Sequence, residues 1–285
     1  MAPRKPVAPA ASTELANWDE ELAREAVAAA ATEANAGGSE FFSLKAGVLS
    51  FGGNNLDGNQ MAAVIVDSTF ENVYYEGDYD PDNPQPPMCF AFARDESELA
   101  PHPTVVEAGN AQHETCKGCP HNEWGSADKG RGKACRNTRR LALLPAGTFK
   151  GPHKDQLEVA DEDYFEKAPF GMLRLPVTSV KPYANFVKQV AGVLRRPPYS
   201  IITRIHVVPD AKTQFQVQFE PLLNLSNSML PIIKQRREEA GLQIANPYPI
   251  AEEVEGATPP PKRGARPAPS KAVAKNAPAR GARKY

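Results

Sequence analysis

The stretch Cys116-Lys-Gly-Cys119-Pro-His-Asn-Glu-Trp124-Gly-Ser-Ala-Asp-Lys129-Gly-Arg131-Gly-Lys133-Ala-Cys135 gathers three of the chain's four cysteines into one polar, basic loop. A C-x2-C pair answered by a third cysteine after a longer loop is the spacing of a tetrahedral thiolate site, so a single structural zinc ion is the leading expectation. Cys89, upstream in Met88-Cys89-Phe90-Ala91-Phe92, is the first choice for the fourth ligand, with His102, His113 and His121 as alternatives. Two disulfides would use the same residues, but the N-terminal run Met1-Ala2-Pro3-Arg4-Lys5-Pro6 opens no apolar leader segment, and in a reducing compartment such spacing suits metal better. An iron–sulfur cluster fits four thiolates too, although nothing near the loop reads as a redox partner site.

Outward from this loop the chain reads as short strands. Leu44 to Phe51, Met61 to Phe70 and Met88 to Ala93 are apolar or alternating runs separated by turn-rich segments, and Arg139 to Leu144 and Gly171 to Val177 follow the loop. Ser179 is placed to cap a helix with Pro182 in its first turn and with Tyr183, Phe186, Val187, Val190 and Leu194 on one apolar stripe. Ser200 to Val208 and Thr213 to Phe219 read as a hairpin, the second run alternating Phe215, Val217 and Phe219 with glutamines. A last helix runs from about Met229 to Ala240, with Gly241 as its stop. The pattern predicts a mainly β protein with added helices (α+β): an OB-like antiparallel barrel into which a four-cysteine zinc loop, residues 113–140, is inserted. A loop of this length builds no core of its own, and the metal would stand in for one.

The predicted organisation is threefold. Residues 1–40 form a flexible N-terminus with an acidic amphipathic helix capped by Thr13 and ended by Gly37-Gly38; 41–256 form the core; 257–285 are a disordered basic tail. The net charge of −1 conceals segregation: Thr258 to Tyr285 holds eight Lys/Arg and no acid, leaving 25 basic against 34 acidic residues elsewhere. Residues 71–114 hold ten acids against Arg94 alone, whereas 116–154 hold nine Lys/Arg against Glu123 and Asp128. Such blocks set an electropositive face beside an acidic one, and the tail is expected to fold back onto the acids around Glu71 to Asp82 when no polyanion is bound. No stretch has the length of a membrane span, and a soluble protein of the bacterial cytoplasm is expected.

A groove that holds single strands regardless of sequence needs cations along the phosphates and exposed rings for the bases. Lys129, Arg131, Lys133, Arg136, Arg139 and Arg140 surround the loop, and Arg204 joins them as a candidate from the strand it shares with His206. Trp124 either stacks on bases or forms a lid over the thiolates, and Tyr74, Tyr75 and Tyr199 are weaker stacking candidates. The strings Cys116-x-x-Cys119-Pro-His-Asn-x-Trp124-Gly-Ser, Gly132-Lys-Ala-Cys135-x-x-x-Arg139-Arg140-Leu141, Leu173-Arg-Leu-Pro-Val-Thr-Ser-Val180 and Ile202-Thr-Arg-Ile205 resemble a group of tailed-bacteriophage proteins described as single-stranded DNA-binding. The resemblance covers about Ser43 to Glu220 and implies an upstream cysteine ligand, matched by Cys89, and work beside phage replication or recombination proteins on single-stranded DNA, with RNA as a second possible ligand. The architecture also resembles the T-even-type helix-destabilising protein, an OB core with a zinc subdomain. Related binders commonly end in an acidic tail, whereas this chain ends in a basic one. A zinc-containing regulator that docks on a host or phage replication or transcription protein through its acidic helix is the alternative. A nuclease would need clustered carboxylates or a histidine base, and five scattered histidines do not suggest one.

Overall fold

The computed structural model describes residues 40–77, 85–151, 153 and 155–248. The expected N-terminal helix and basic tail lie outside these residues.

Strands dominate. In chain order they are β1 (Glu40–Lys45), β2 (Val48–Phe51), β3 (Asn54–Asn55), β4 (Gln60–Tyr74), β5 (Cys89–Ala93), β6 (Arg136–Lys150), β7 (Gln156–Val159), β8 (Gly171–Leu175), β9 (Ile201–Asp210) and β10 (Gln214–Asn224). The helices are α1 (Pro103–Glu107), α2 (Glu162–Lys167), α3 (Val177–Gln189) and α4 (Met229–Gln243). One sheet runs in the order β10-β9-β4-β6-β8-β1-β2-β3, with β5 also on β4 and β7 on β6. It is mixed, because β1 lies parallel to β8 while the other pairs are antiparallel.

Both faces of the central strands are covered, which is why β4 and β6 read as near-continuous apolar runs. On one face Phe42, Leu49, Ile65, Leu141, Leu173, Ile205 and Val217 pack under Tyr183 and Phe186 of α3 and the following Val190. On the other, Val64, Val66, Leu144, Met172 and Ile202 meet Phe165 of α2 and Ile233 and Ala240 of α4. Gly171 lets this happen at the β1–β8 seam: a Cβ there would lie 2.2 Å from the Phe42 ring.

The run Leu44 to Phe51 is not one strand. Ala46 and Gly47, at φ 50° and 78°, form a two-residue left-handed turn whose twist suits a tight hairpin, and it folds β1 onto β2. At this turn a Cβ on Gly47 would sit 3.3 Å from the Phe215 side chain of β10. Two helix boundaries also move. The helix α3 starts at Val177 after Pro176, so Pro182 lies inside it, and Ser179 is no cap: its Oγ accepts from Val217 N at 2.9 Å in the core. Likewise α4 continues through Gly241, where a Cβ would lie 3.4 Å from Arg94 Nη2 and 3.8 Å from Asp67 Oδ2.

The half of β4 beyond its second register irregularity carries a buried carboxylate. Glu71 is fully buried, and its Oε1 receives Arg140 Nη2 at 2.6 Å and Nε at 3.2 Å. Its Oε2 receives Thr138 Oγ1 and pairs with Arg174 Nε, each at 3.1 Å, and Tyr248 donates its hydroxyl to Oε1. Arg140 spends its remaining donor on the carbonyls of Ile244 and Asn246 at 3.1 and 3.0 Å. The chain after α4 is thereby strapped across β4, β6 and β8. Removing one partner of a buried pair leaves the other charge stranded, at a cost of roughly 3–5 kcal/mol, whereas replacing both by apolar groups can be neutral. Glu71→Ala should therefore lower stability by about 3–5 kcal/mol in urea unfolding, and Glu71→Leu combined with Arg140→Met should recover most of that loss. A loss under about 1 kcal/mol in the single variant would mean the network is not buried in solution.

Candidate nucleic-acid interface

The cysteine loop leaves the sheet at β5 and returns at β6, on the β-hairpin end that Tyr74, Cys89 and Arg136 define. Its shape is set by its own polar groups. Cys116 N donates to Leu99 O at 3.0 Å, Asn122 Nδ2 to Cys116 O at 2.8 Å, and Cys135 N to His121 O at 2.7 Å. Ser126 is the hub: its hydroxyl lies 2.9 Å from His121 O and 2.7 Å from Glu123 O, and accepts from Ala134 N at 2.9 Å. Tyr74 stacks on the His121 ring, with centroids 4.1 Å apart.

The zinc expectation is corrected here. Cys89, Cys116, Cys119 and Cys135 line one pocket, but among the described residues no group of three or more His, Cys, Asp or Glu is placed to hold a metal ion. None of the four is in a disulfide. Burial instead favours the neutral thiols: it raises Cys89, and pushes Cys116 up to about 11 and Cys135 to about 12, with repulsion from neighbouring cysteines adding to it. The histidines are engaged elsewhere, His102 capping α1 through Thr104 and His113 holding Thr115 O at 3.0 Å. Hydrogen bonds and buried thiols thus do the work the sequence assigned to an ion.

The predicted contact residues divide. Trp124 is 79% exposed, so it is no lid over the cysteines. Lys133 Nζ lies 5.7 Å from its ring centroid, fixed by Asn122 Oδ1 at 3.2 Å. Lys129, Arg131 and Arg136 are exposed, and the Arg136 guanidinium lies 5.4 Å from the centroid of Tyr75. Arg174 Nη1 donates to the hydroxyl of that same Tyr75 at 3.3 Å, which extends the cationic and aromatic surface from the loop onto β8.

Three candidates do not belong to it. Arg140 is 2% exposed and bound to Glu71 and the strap, so a phosphate has no access to it. Arg139 emerges on the opposite face of β6 from Arg136, half-buried with its guanidinium 3.3 Å from the Phe70 centroid, and desolvation lowers its pKa. Arg204 pairs in register with Ala62, roughly 40 Å along β4 from the loop at about 3.3 Å per residue, and is held by Glu220 at 3.4 Å. His206 does share its face, and reaches the same carboxylate at 3.8 Å. The tail's expected docking ground also shrinks, because Glu71 is buried against Arg140. Scanning protein-family models, curated proteins and solved structures returns no match.

Two expectations follow. Ser126→Ala leaves Ala134 N without its partner and takes the hydroxyl from His121 O and Glu123 O, which keep Cys135 N and Ser126 N, and should cost about 1–3 kcal/mol in denaturant unfolding, whereas a chelator should leave the melting temperature unchanged. A chelator-sensitive melt would return an ion to the loop. The thiols also give stability a pH slope of known sign. They ionise more readily in the unfolded chain, near 9, than in the folded one, so stability is fully present below pH 9 and falls as pH rises towards 11 and 12. Thermal melts between pH 8 and 11 should show that fall, and Cys116→Ala with Cys135→Ala should reduce it.

Proposed function

We propose that this chain is a non-catalytic single-stranded nucleic-acid-binding protein whose contact surface begins on the cysteine loop. The observation that carries the reading is Trp124, the most exposed described aromatic ring, set beside Lys133 on a loop held rigid by its hydrogen bonds and flanked by Arg131 and Arg136. A nucleotide fits this pairing, because its base can stack on the exposed indole while its phosphate meets the cations around it.

The OB-like reading is supported by topology. The strands β10-β9-β4-β6-β8 correspond in order to strands 5-4-1-2-3 of a five-stranded OB barrel, and α3 falls between the third and fourth of them, where that fold carries its helix. The β1–β2 hairpin then fills the gap between the two ends, through the approach of Gly47 to Phe215. In this correspondence the cysteine loop is the connection between the first two barrel strands, one of the two loops with which OB folds grip oligonucleotides. A role in phage DNA replication or recombination rests on the sequence resemblance alone.

Salt titration with labelled oligo-dT tests the reading. Affinity should fall linearly on a log–log salt plot with a slope of about −0.7 per phosphate contacted, and removing Arg131, Lys133 and Arg136 together should flatten it by roughly two units. Trp124→Ala should weaken binding by about 1–3 kcal/mol at constant slope, since stacking releases no counterions. Binding that is salt-insensitive, or absent, would leave the protein-docking regulator as the better account.

A further inference from the structure

Beyond the cysteine loop, no described residue covers the outer face of the first hairpin. Strand alternation and register put Phe41, Ser43 and Lys45 of β1 beside Ser50 and Val48 of β2 on one face, while Phe42, Leu44 and Leu49 turn to the core. With Asn55 of β3 they line a concavity of about 330 Å³. Phe41 is 45% and Val48 40% exposed, an unusual arrangement for the two large apolar side chains of that lining. Among the described residues the lining holds one cation, Lys45, and no carboxylate; hydroxyls, an amide and the backbone of Gly52 and Gly53 supply the rest.

This face continues into the surface already described. Phe41 stands opposite Met172 across the parallel β1–β8 seam, and Arg174, two residues on, emerges on the same side. Arg174 holds Tyr75, and Tyr75 carries Arg136, so cations and rings alternate from the hairpin to the loop. We infer that the hairpin groove is a second subsite for the same single strand, taking bases on Phe41 and phosphates near Lys45 and Arg174 as the strand leaves Trp124. The inference rests on the nucleic-acid reading of the loop. An apolar helix or peptide is the poorer occupant, because the groove offers it two small apolar patches among hydroxyls, whereas a single strand matches both its positive charge and its isolated ring.

Hydroxyl-radical labelling of the full chain, with and without a dT oligomer of about 16 nucleotides, tests it alongside titrations of Phe41→Leu and Lys45→Glu. Phe41 and Val48 should be labelled in the protein alone and become protected on adding the oligomer. Phe41→Leu keeps an apolar side chain but removes the ring, and with Lys45→Glu should weaken binding of the long oligomer by about fivefold or more, while an oligomer of about 4 nucleotides, held at Trp124, binds as before. Protection of Phe41 before any oligomer is added would mean that another segment of this chain or a second copy sits in the groove, and would overturn the inference. So would oligomer binding that depends on Trp124 but leaves Phe41 labelled, and in that case the proposed function still stands. If no oligomer binds at all, both fall together.

Discussion

A carboxylate buried at the centre of a sheet has to be satisfied completely or not be there, and the satisfaction of Glu71 organises the outer half of this molecule. Its partners come from β6, from β8 on the far side of β6 and from the segment after α4, so four parts of the chain distant in sequence meet at one pair of oxygens. Such a pair adds little net stability compared with apolar packing. What it adds is geometry: the register sets Glu71 opposite Thr138 and Thr69 opposite Arg140, a one-residue slip would carry Glu71 to the other face, and the strap presents the Ile244 and Asn246 carbonyls to Arg140.

That geometry fixes where the cysteine loop stands. β5 pairs with the same stretch of β4, Phe70 to Tyr74, and β6 starts directly after Cys135, so the loop's two ends are held by the strands that the buried pair locks together. On this base the loop needs only local hydrogen bonds to become rigid, and Ser126 and Asn122 supply them. The exposed cations and rings are then presented on a fixed frame, which lowers the conformational entropy a ligand must overcome.

Much of this was legible in the sequence where one periodicity ruled. Tyr183 and Phe186 of the α3 stripe, Val190 just after it and the inward Val217 and Phe219 of β10 stand in the core as the pattern implies, whereas Leu194 of the same stripe is exposed. What failed were places where two physical explanations share one pattern. C-x2-C spacing serves a metal or a set of buried thiols, and here burial keeps the thiols protonated. Arg139-Arg140 reads as one basic patch, but a strand sends neighbours to opposite faces, and β6 is covered on both, so one arginine lies along Phe70 and the other enters the core. The break at Ala46-Gly47 was hidden because alanine is a poor turn signal, and with it the groove lined by Phe41. Arg174 was visible only as a lone charge in an apolar strand, a hint of a polar partner that the sequence does not name.

The central claim is that bases stack on Trp124, and its own fluorescence reports this most directly. In a Trp18→Phe background Trp124 is the sole indole, and its emission should be that of a water-exposed ring, quenched on titration with oligo-dT and restored by added salt. Emission that stays unchanged while the oligomer demonstrably binds would contradict the account, by showing that the strand lies on some other face.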